Sequence, residues 1–229
     1  ASLAGHLGLG KLICVFDDNL ITIDGPTSMS TGDDTAMRFR SYGWDVVDLG
    51  EIADDLDGLE AALEAAKAQT DKPSLLILRS HIAEPSPDHV DTHGAHGTPF
   101  SADDVARTKA VMGIPDEPFW APDDLVAAYR ARAADRGAAA HAEWTRRSAD
   151  VTATPDWRAA WHGTGTDGWD GGLPAYDLGE SLATRKAIQK ALDATYDALP
   201  GLISGSADLT GSNGTGLDRT TAFSADDRT

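Results

Sequence analysis

The 229-residue sequence is short of cysteine, of positive charge and of long apolar runs, and each shortage removes a class of protein. A single cysteine, Cys14, cannot close an internal disulfide, so no disulfide framework holds this fold. It stands in the apolar run from Lys11 to Phe16 and reads as a small buried hydrophobe in a protein of the reducing cytoplasm. Lysine and arginine number 19 against 37 aspartates and glutamates, a formal charge of −18. Nucleic-acid binding draws its affinity from cations that neutralise phosphates, so no nucleic-acid partner is expected. No stretch approaches the roughly 18 apolar residues of a spanning helix, and no basic, apolar and small-residue leader opens the sequence. Neither membrane insertion nor export is expected. With 41% apolar residues and moderate glycine and proline, the chain can build a globular core.

Lys11 to Phe16 reads as a buried strand whose carboxyl end carries Asp17, Asp18 and Asn19. Asp33 and Asp34 can cap a helix through Tyr42, Gly43 stops it, and Trp44 to Leu49 has strand character. A helix from Asp55 to Ala68, the breaker Pro73 and a strand from Ser74 to Leu78 follow. This alternation predicts an α/β fold, with parallel sheets flanked by helices. From Ala83 to Phe100 the composition turns to Pro, His, Asp and Gly, a loop long enough to point to a functional or lid role. Ser101 and Asp104 predict a capped helix to Met112, and an Ala-rich helix spans Pro122 to Arg147 with a break at Gly137. Residues 150–180 read as a connector. The α/β grammar then resumes with a helix from Ser181 to Leu199 and a strand from Leu202 to Ser206 that ends in the turn Ala207-Asp208.

Several short motifs fail on context. Gly5 to Lys11 spells G-x-x-x-x-G-K, but Leu12 replaces the Ser or Thr and no strand precedes it. Gly163 to Gly168 fits G-x-G-x-x-G without a preceding strand, and Pro174 stands where the helix should begin. His89, His93 and His96 have metal-like spacing, yet no thiolate supports them. Asn213-Gly214-Thr215 is a glycosylation acceptor that matters only in an exported protein.

A different set of residues, spread along the whole chain, resembles one family. Ser2 to Ile13 and then Asp17-Asp18-Asn19-Leu20-Ile21-Thr22-Ile23-Asp24-Gly25 closely resemble transketolases around the second half of their thiamine diphosphate fingerprint. Thr35 to Phe39 with Tyr42-Gly43-Trp44, then Asp71 to Leu75, then His96-Gly97-Thr98-Pro99 match the same family in the same order. Leu182 to Lys186 and Gly205 to Asn213 resemble the opening of its pyrimidine-binding domain.

The resemblance implies transfer of a two-carbon ketol unit from a ketose phosphate to an aldose phosphate, in the pentose phosphate pathway. It implies thiamine diphosphate and Mg²⁺ as cofactors, with Ca²⁺ or Mn²⁺ as substitutes, and a homodimer with phosphosugar substrates. By resemblance, the Asn19 side chain and the Ile21 main-chain carbonyl ligate the metal, while Ile23, Ile82, Asp208 and Leu209 contact the cofactor. His96 is the catalytic histidine and contacts both diphosphate and substrate; Arg185 and Ser212 hold the sugar phosphate. Compact oxygen donors suit Mg²⁺, and a guanidinium offers paired donors to phosphate oxygens. Taken without the family match, Asn19 reads as a turn residue, His96 as a loop histidine, Arg185 as a surface charge and Ser212 as a turn residue.

Two departures stand out. The family's glycine after Ile82 is Ala83 here, with Glu84 beside it, and Ala tolerates fewer backbone conformations. The family's Gly-Asp-Gly metal segment is expected before Ala1 and its catalytic glutamate beyond Thr229, so the chain is expected to be an internal piece, inactive alone. On that reading residues 1–149 are the latter half of the diphosphate-binding domain, 150–180 a connector and 181–229 the start of the pyrimidine-binding domain. Two other readings are another thiamine diphosphate enzyme and a non-catalytic dimerisation or interaction module.

Overall fold

The computed structural model describes residues 1–227, in two compact units: residues 1–120 with the segment from Phe223 onward, and residues 121–222. The first unit carries one parallel sheet of β1 (Ile13–Asp18), β2 (Asp45–Gly50) and β3 (Ser74–Arg79), ordered β1-β3-β2. The last strand in sequence is thus central. Its apolar run Ser74 to Ile77 is buried throughout, as a strand covered on both faces requires. α1 (Ser2–His6) precedes β1, α2 (Thr35–Ser41) and α3 (Leu56–Ala68) are the crossovers, and α4 (Ala102–Met112) follows the long loop. Asp34 caps α2 by accepting from the Met37 amide at 2.7 Å, and Asp55 caps α3 from Gly58 at 3.0 Å.

Leu75, Ile77 and Trp44 form the core cluster, with Ala4, Leu12, Cys14, Ala36, Phe39, Tyr42 and Val46 against it. Phe39 meets Trp44 edge-on at 5.0 Å. The Trp44 indole N–H, which would be costly unpaired here, donates to the Ala1 carbonyl at 2.9 Å. A side chain on Gly5 would overlap the Tyr42 carbonyl, so glycine lets α1 lie backbone-to-backbone on the end of α2. Cys14 is half-buried rather than fully enclosed, because its strand is an edge of the sheet. β1 runs to Asp18 rather than stopping at Phe16, since Asp17 and Asp18 pair with Leu78 and Arg79.

The second unit is helical among its described residues: α5 (Asp123–Thr152), α6 (Pro155–His162), α7 (Thr184–Thr195) and α8 (Thr210–Asn213). The expected helix break and the expected strand are corrected here, and the segment read as a connector holds a helix. α5 passes through Gly137 without a break, because one exposed glycine costs only about 1 kcal/mol against a flank of strong helix-forming alanines. The proposed connector contains α6, whose start is set by Thr154 accepting from the Trp157 amide and by Pro155 in the first turn. Leu202 to Ser206 forms no strand and adds no second sheet; the described residues of this unit offer it no partner strand, and Ile203 is 95% exposed. The helix expected from Ser181 begins at Thr184, and its last turn, Tyr196–Ala198, tightens to 3₁₀. No helix among the described residues is long and apolar enough to cross a membrane.

Candidate functional site

In an open parallel sheet, loops at the carboxyl ends of the strands are where ligands bind, because connections there diverge and leave a crevice. Asn19 follows β1 directly. Its Oδ1 accepts from the Ile21 amide at 3.0 Å, an Asx turn that leaves the oxygen's second lone pair unused. Leu20 takes a positive φ of 60°, and the chain folds back so that Ile21 bridges Pro26. The bonds flanking that bridge come from Thr22 to Gly25 at 2.7 Å and from Thr27 to Leu20 at 2.9 Å. The Ile21 carbonyl takes no part in them. Ile23 sits at the turn, 66% exposed. Asn19 and Ile21 thus occur together as oxygen donors on one tight turn.

The end of β3 is tied to this turn's base. Arg79 Nη1 donates to the Asp18 carbonyl at 3.0 Å and to the Ser80 carbonyl at 2.5 Å, and the Ser80 hydroxyl donates to Asp17. Ile82 is half-buried, and Ala83 adopts φ 64°, the left-handed conformation that the glycine expected there would enter without a steric penalty. From Ala83 to Phe100 the loop is not a free lid. Arg107 on α4 grips Asp88, Asp103 at 2.9 Å and Asp104 at 2.6 Å, so the loop is moored to the helix that follows it. His89 stacks on Phe100 at 4.4 Å and places Nε2 3.3 Å from Asp104, off the line of a straight hydrogen bond. Asp104 also closes a capping box with Ser101, and the Ser101 hydroxyl bond holds its carboxyl down at about 2. Those ties flank a 3₁₀ turn at His93–Ala95, which leaves His96 exposed and its imidazole without a hydrogen bond among the described residues.

In the second unit, Ala183, Thr184, Arg185, Ile188, Ser212 and Asn213 line an open cleft of about 430 Å³. Arg185 is in the first turn of α7 and Ser212 on α8. Gly214 ends α8 with φ 68°, and a side chain there would overlap the Arg185 carbonyl; glycine alone lets the two helices approach this closely. No carboxylate pairs with Arg185 among the described residues. Asp208, φ 57°, and the half-exposed Leu209 precede α8, and the Ser206 and Thr210 hydroxyls meet at 3.1 Å across them. The nine residues singled out from sequence therefore fall into two sets: Asn19, Ile21, Ile23, Ile82 and His96 in the first unit, and Arg185, Asp208, Leu209 and Ser212 in the second.

Sequence reasoning passed over His81 and the Arg107 mooring. A readable signal existed for His81, a titratable residue immediately beyond the carboxyl end of a parallel strand. For Arg107 the helical spacing to Asp103 and Asp104 was readable, but the tie to Asp88, 19 residues away, carried no signal.

Comparison with known proteins agrees along the chain. The family model of the transketolase thiamine diphosphate binding domain matches residues 1–162. A transketolase of Nostoc sp. is 42% identical over 219 residues, covering 93% of this chain and 32% of its own length. The plasmid-borne transketolase of Cupriavidus necator is 43% identical over 226 residues, with coverage of 93% and 33%. A crystal structure of the Pichia stipitis transketolase in complex with sedoheptulose-7-phosphate superposes with a TM-score of 0.86 at 35% identity, covering 97% of this chain and 34% of the other. The chain thus spans about a third of the length of the relatives it matches.

Proposed function

Because the chain belongs to the transketolase family by its thiamine diphosphate binding domain, we propose that it serves the transfer of a two-carbon ketol unit between phosphosugars. The observation that carries this reading is the cleft in which Arg185, without a carboxylate partner among the described residues, faces the same space as Ser212. A guanidinium and a hydroxyl converging on one open cleft suit a phosphate monoester, which takes paired N–H donors on two oxygens and a third donor beside them.

The first unit supplies the other half of the reading. The Asn19 amide oxygen keeps a lone pair, and the Ile21 carbonyl stands outside the backbone pairing of its turn. Neutral oxygen donors of this kind fit a hard divalent cation, and Mg²⁺ beside a diphosphate is the natural candidate, with Ca²⁺ or Mn²⁺ able to replace it. Each unit carries its own candidate contacts to the cofactor: Ile23 and Ile82 would present apolar surface in the first, and Asp208 and Leu209 are the candidates in the second. When bound, thiamine diphosphate supplies the nucleophilic carbon and the electron sink for cleaving the bond beside the ketose carbonyl. His96, exposed and without a hydrogen bond among the described residues, would offer a ring nitrogen to hold or release a proton at the sugar's reacting oxygen.

On this proposal residues 1–149 belong to the diphosphate-binding domain, 150–180 to the connector and 181–229 to the pyrimidine-binding domain. The working assembly is a cytoplasmic homodimer. The test is a ketol-transfer assay on the complete polypeptide carrying these residues. Arg185→Ala should raise KM for a phosphorylated ketose by about 10- to 100-fold, the loss of one or two charge-assisted bonds, with kcat and the KM of an unphosphorylated ketose little changed. Equal KM values for both proteins on the phosphorylated substrate would remove the phosphate assignment.

A further inference from the structure

His81 follows β3 by two residues, and its imidazole joins three segments. Nδ1 lies 2.7 Å from Asp91 Oδ2, and Nε2 lies 3.9 Å from Glu51, the residue after β2. Beside the first contact, the Asp91 amide donates to the Ile82 carbonyl at 3.1 Å. One side-chain bond and one backbone bond thus close the Ile82–Asp91 turn at its neck. The turn needs closing, because Ala83 at φ 64° and Asp91 at φ 56° both hold a conformation that a residue with a Cβ enters only at a cost.

The charges around the ring have a sign. Asp91, Glu51 and Glu84 are acidic, and Arg79 is the cation that opposes them. The hydrogen bond with Asp91 is the main reason that the His81 pKa is raised above 6.5.

We propose that His81 is a positioning residue which, as the imidazolium, clasps Asp91 and holds Ile82 in the conformation that receives the cofactor, so that cofactor affinity follows the His81 proton. This rests on the thiamine diphosphate reading above. A raised histidine pKa fixes the direction: the contribution is whole below 6.5 and is lost as pH rises through the raised value. The neutral ring keeps a weaker, uncharged hydrogen bond, roughly half as strong as the charged one.

The experiment titrates thiamine diphosphate with excess Mg²⁺ into the complete polypeptide at about pH 6 and about pH 8.5, on either side of the histidine range. Wild type is compared with His81→Gln and Asp91→Asn, a comparison that cancels the cofactor's own protonation. His81→Gln should bind about fivefold more weakly than wild type at the lower pH and equally at the higher, the difference between a charged and a neutral bond. Parallel pH profiles for the two proteins would overturn the clasp and leave the cofactor assignment intact. No binding by wild type at either pH would instead defeat the cofactor assignment. Hydrogen exchange of the Asp91 amide in the cofactor-free protein decides the clasp in that case and where a variant folds poorly. Wild-type protection should fall between the lower and higher pH, and protection unchanged by pH would overturn the proposal.

Discussion

In the first unit the turns at Asn19 and Ile82, proposed for the cofactor, follow β1 and β3 of one sheet, and its central strand is closed to solvent: Leu76 is 1% exposed, against 53% for Val15 on the edge strand β1. In the second, Arg185 and Ser212 leave helices of 12 and 4 residues, in a unit whose buried side chains among the described residues are Ala159 and Thr195. The two units position chemistry by different means. A sheet ladder fixes three strand ends relative to one another, so the turns at Asn19 and Ile82 inherit their placement from buried hydrogen bonds. The helical unit relies on one close approach, at Gly214, to set its cleft. Rigidity in the first case is collective, and in the second it is local.

That contrast breaks most visibly at the core. Leu76→Ala should cost about 2–5 kcal/mol in the first unit, while Ile203→Ala, 95% exposed in the second, should stay within about 0.5 kcal/mol. Denaturant midpoints measure both, and comparable losses would erase the distinction. Gly214→Ala should come next, at about 1–2 kcal/mol for the left-handed conformation alone. Because the added carbon strikes the Arg185 carbonyl, it should also weaken inorganic phosphate binding to the cleft. An unaltered phosphate affinity would mean that the cleft does not depend on that approach.

Acid sharpens the comparison from the side of the first unit. Asp104, held at about 2 by the Ser101 hydroxyl bond and then by His89, contributes to the start of α4 fully above 3.8. That contribution is lost as pH falls through about 2. Carboxyl NMR should give Asp104 a midpoint near 2, and Ser101→Ala should move it up. A midpoint at 3.8 in the wild type would show that the capping box is not formed in solution. The smallest effect belongs to the second unit: Gly137→Ala, with open space around the added methyl, should stabilise α5 by about 0.5–1 kcal/mol in thermal melts. A loss there would mean that the helix is bent or packed at Gly137.

Much of the first unit was legible. Asp34, Asp55 and Ser101 announce helix starts because capping acts within three residues, and Ser74 to Leu78 announces a buried strand because its partners need only be apolar. Leu202 to Ser206 misled for the same reason in reverse: β propensity is local, but a strand exists only with a neighbour to pair with. Asp17 and Asp18 looked like the end of a strand and lie within it, since the ladder with Leu78 and Arg79 extends two residues beyond the apolar run. For the candidate site, order along the chain marked Asn19, Ile21, His96 and Arg185 by resemblance. It said nothing of the oxygen Asn19 lends to the Ile21 amide, nor of His81 meeting Asp91.

By itself the amino-acid order determined the α/β beginning, the helix caps, the acidic charge and the family, because each rests on residues within a few positions of one another or on a pattern carried by the whole chain. Tertiary structure alone decided that β3 lies between β1 and β2, that Arg107 moors the long loop, and that Ser212 reaches the cleft of Arg185. Those outcomes join residues far apart in sequence. Their partners are selected by shared burial and close backbone approach, which no local propensity records.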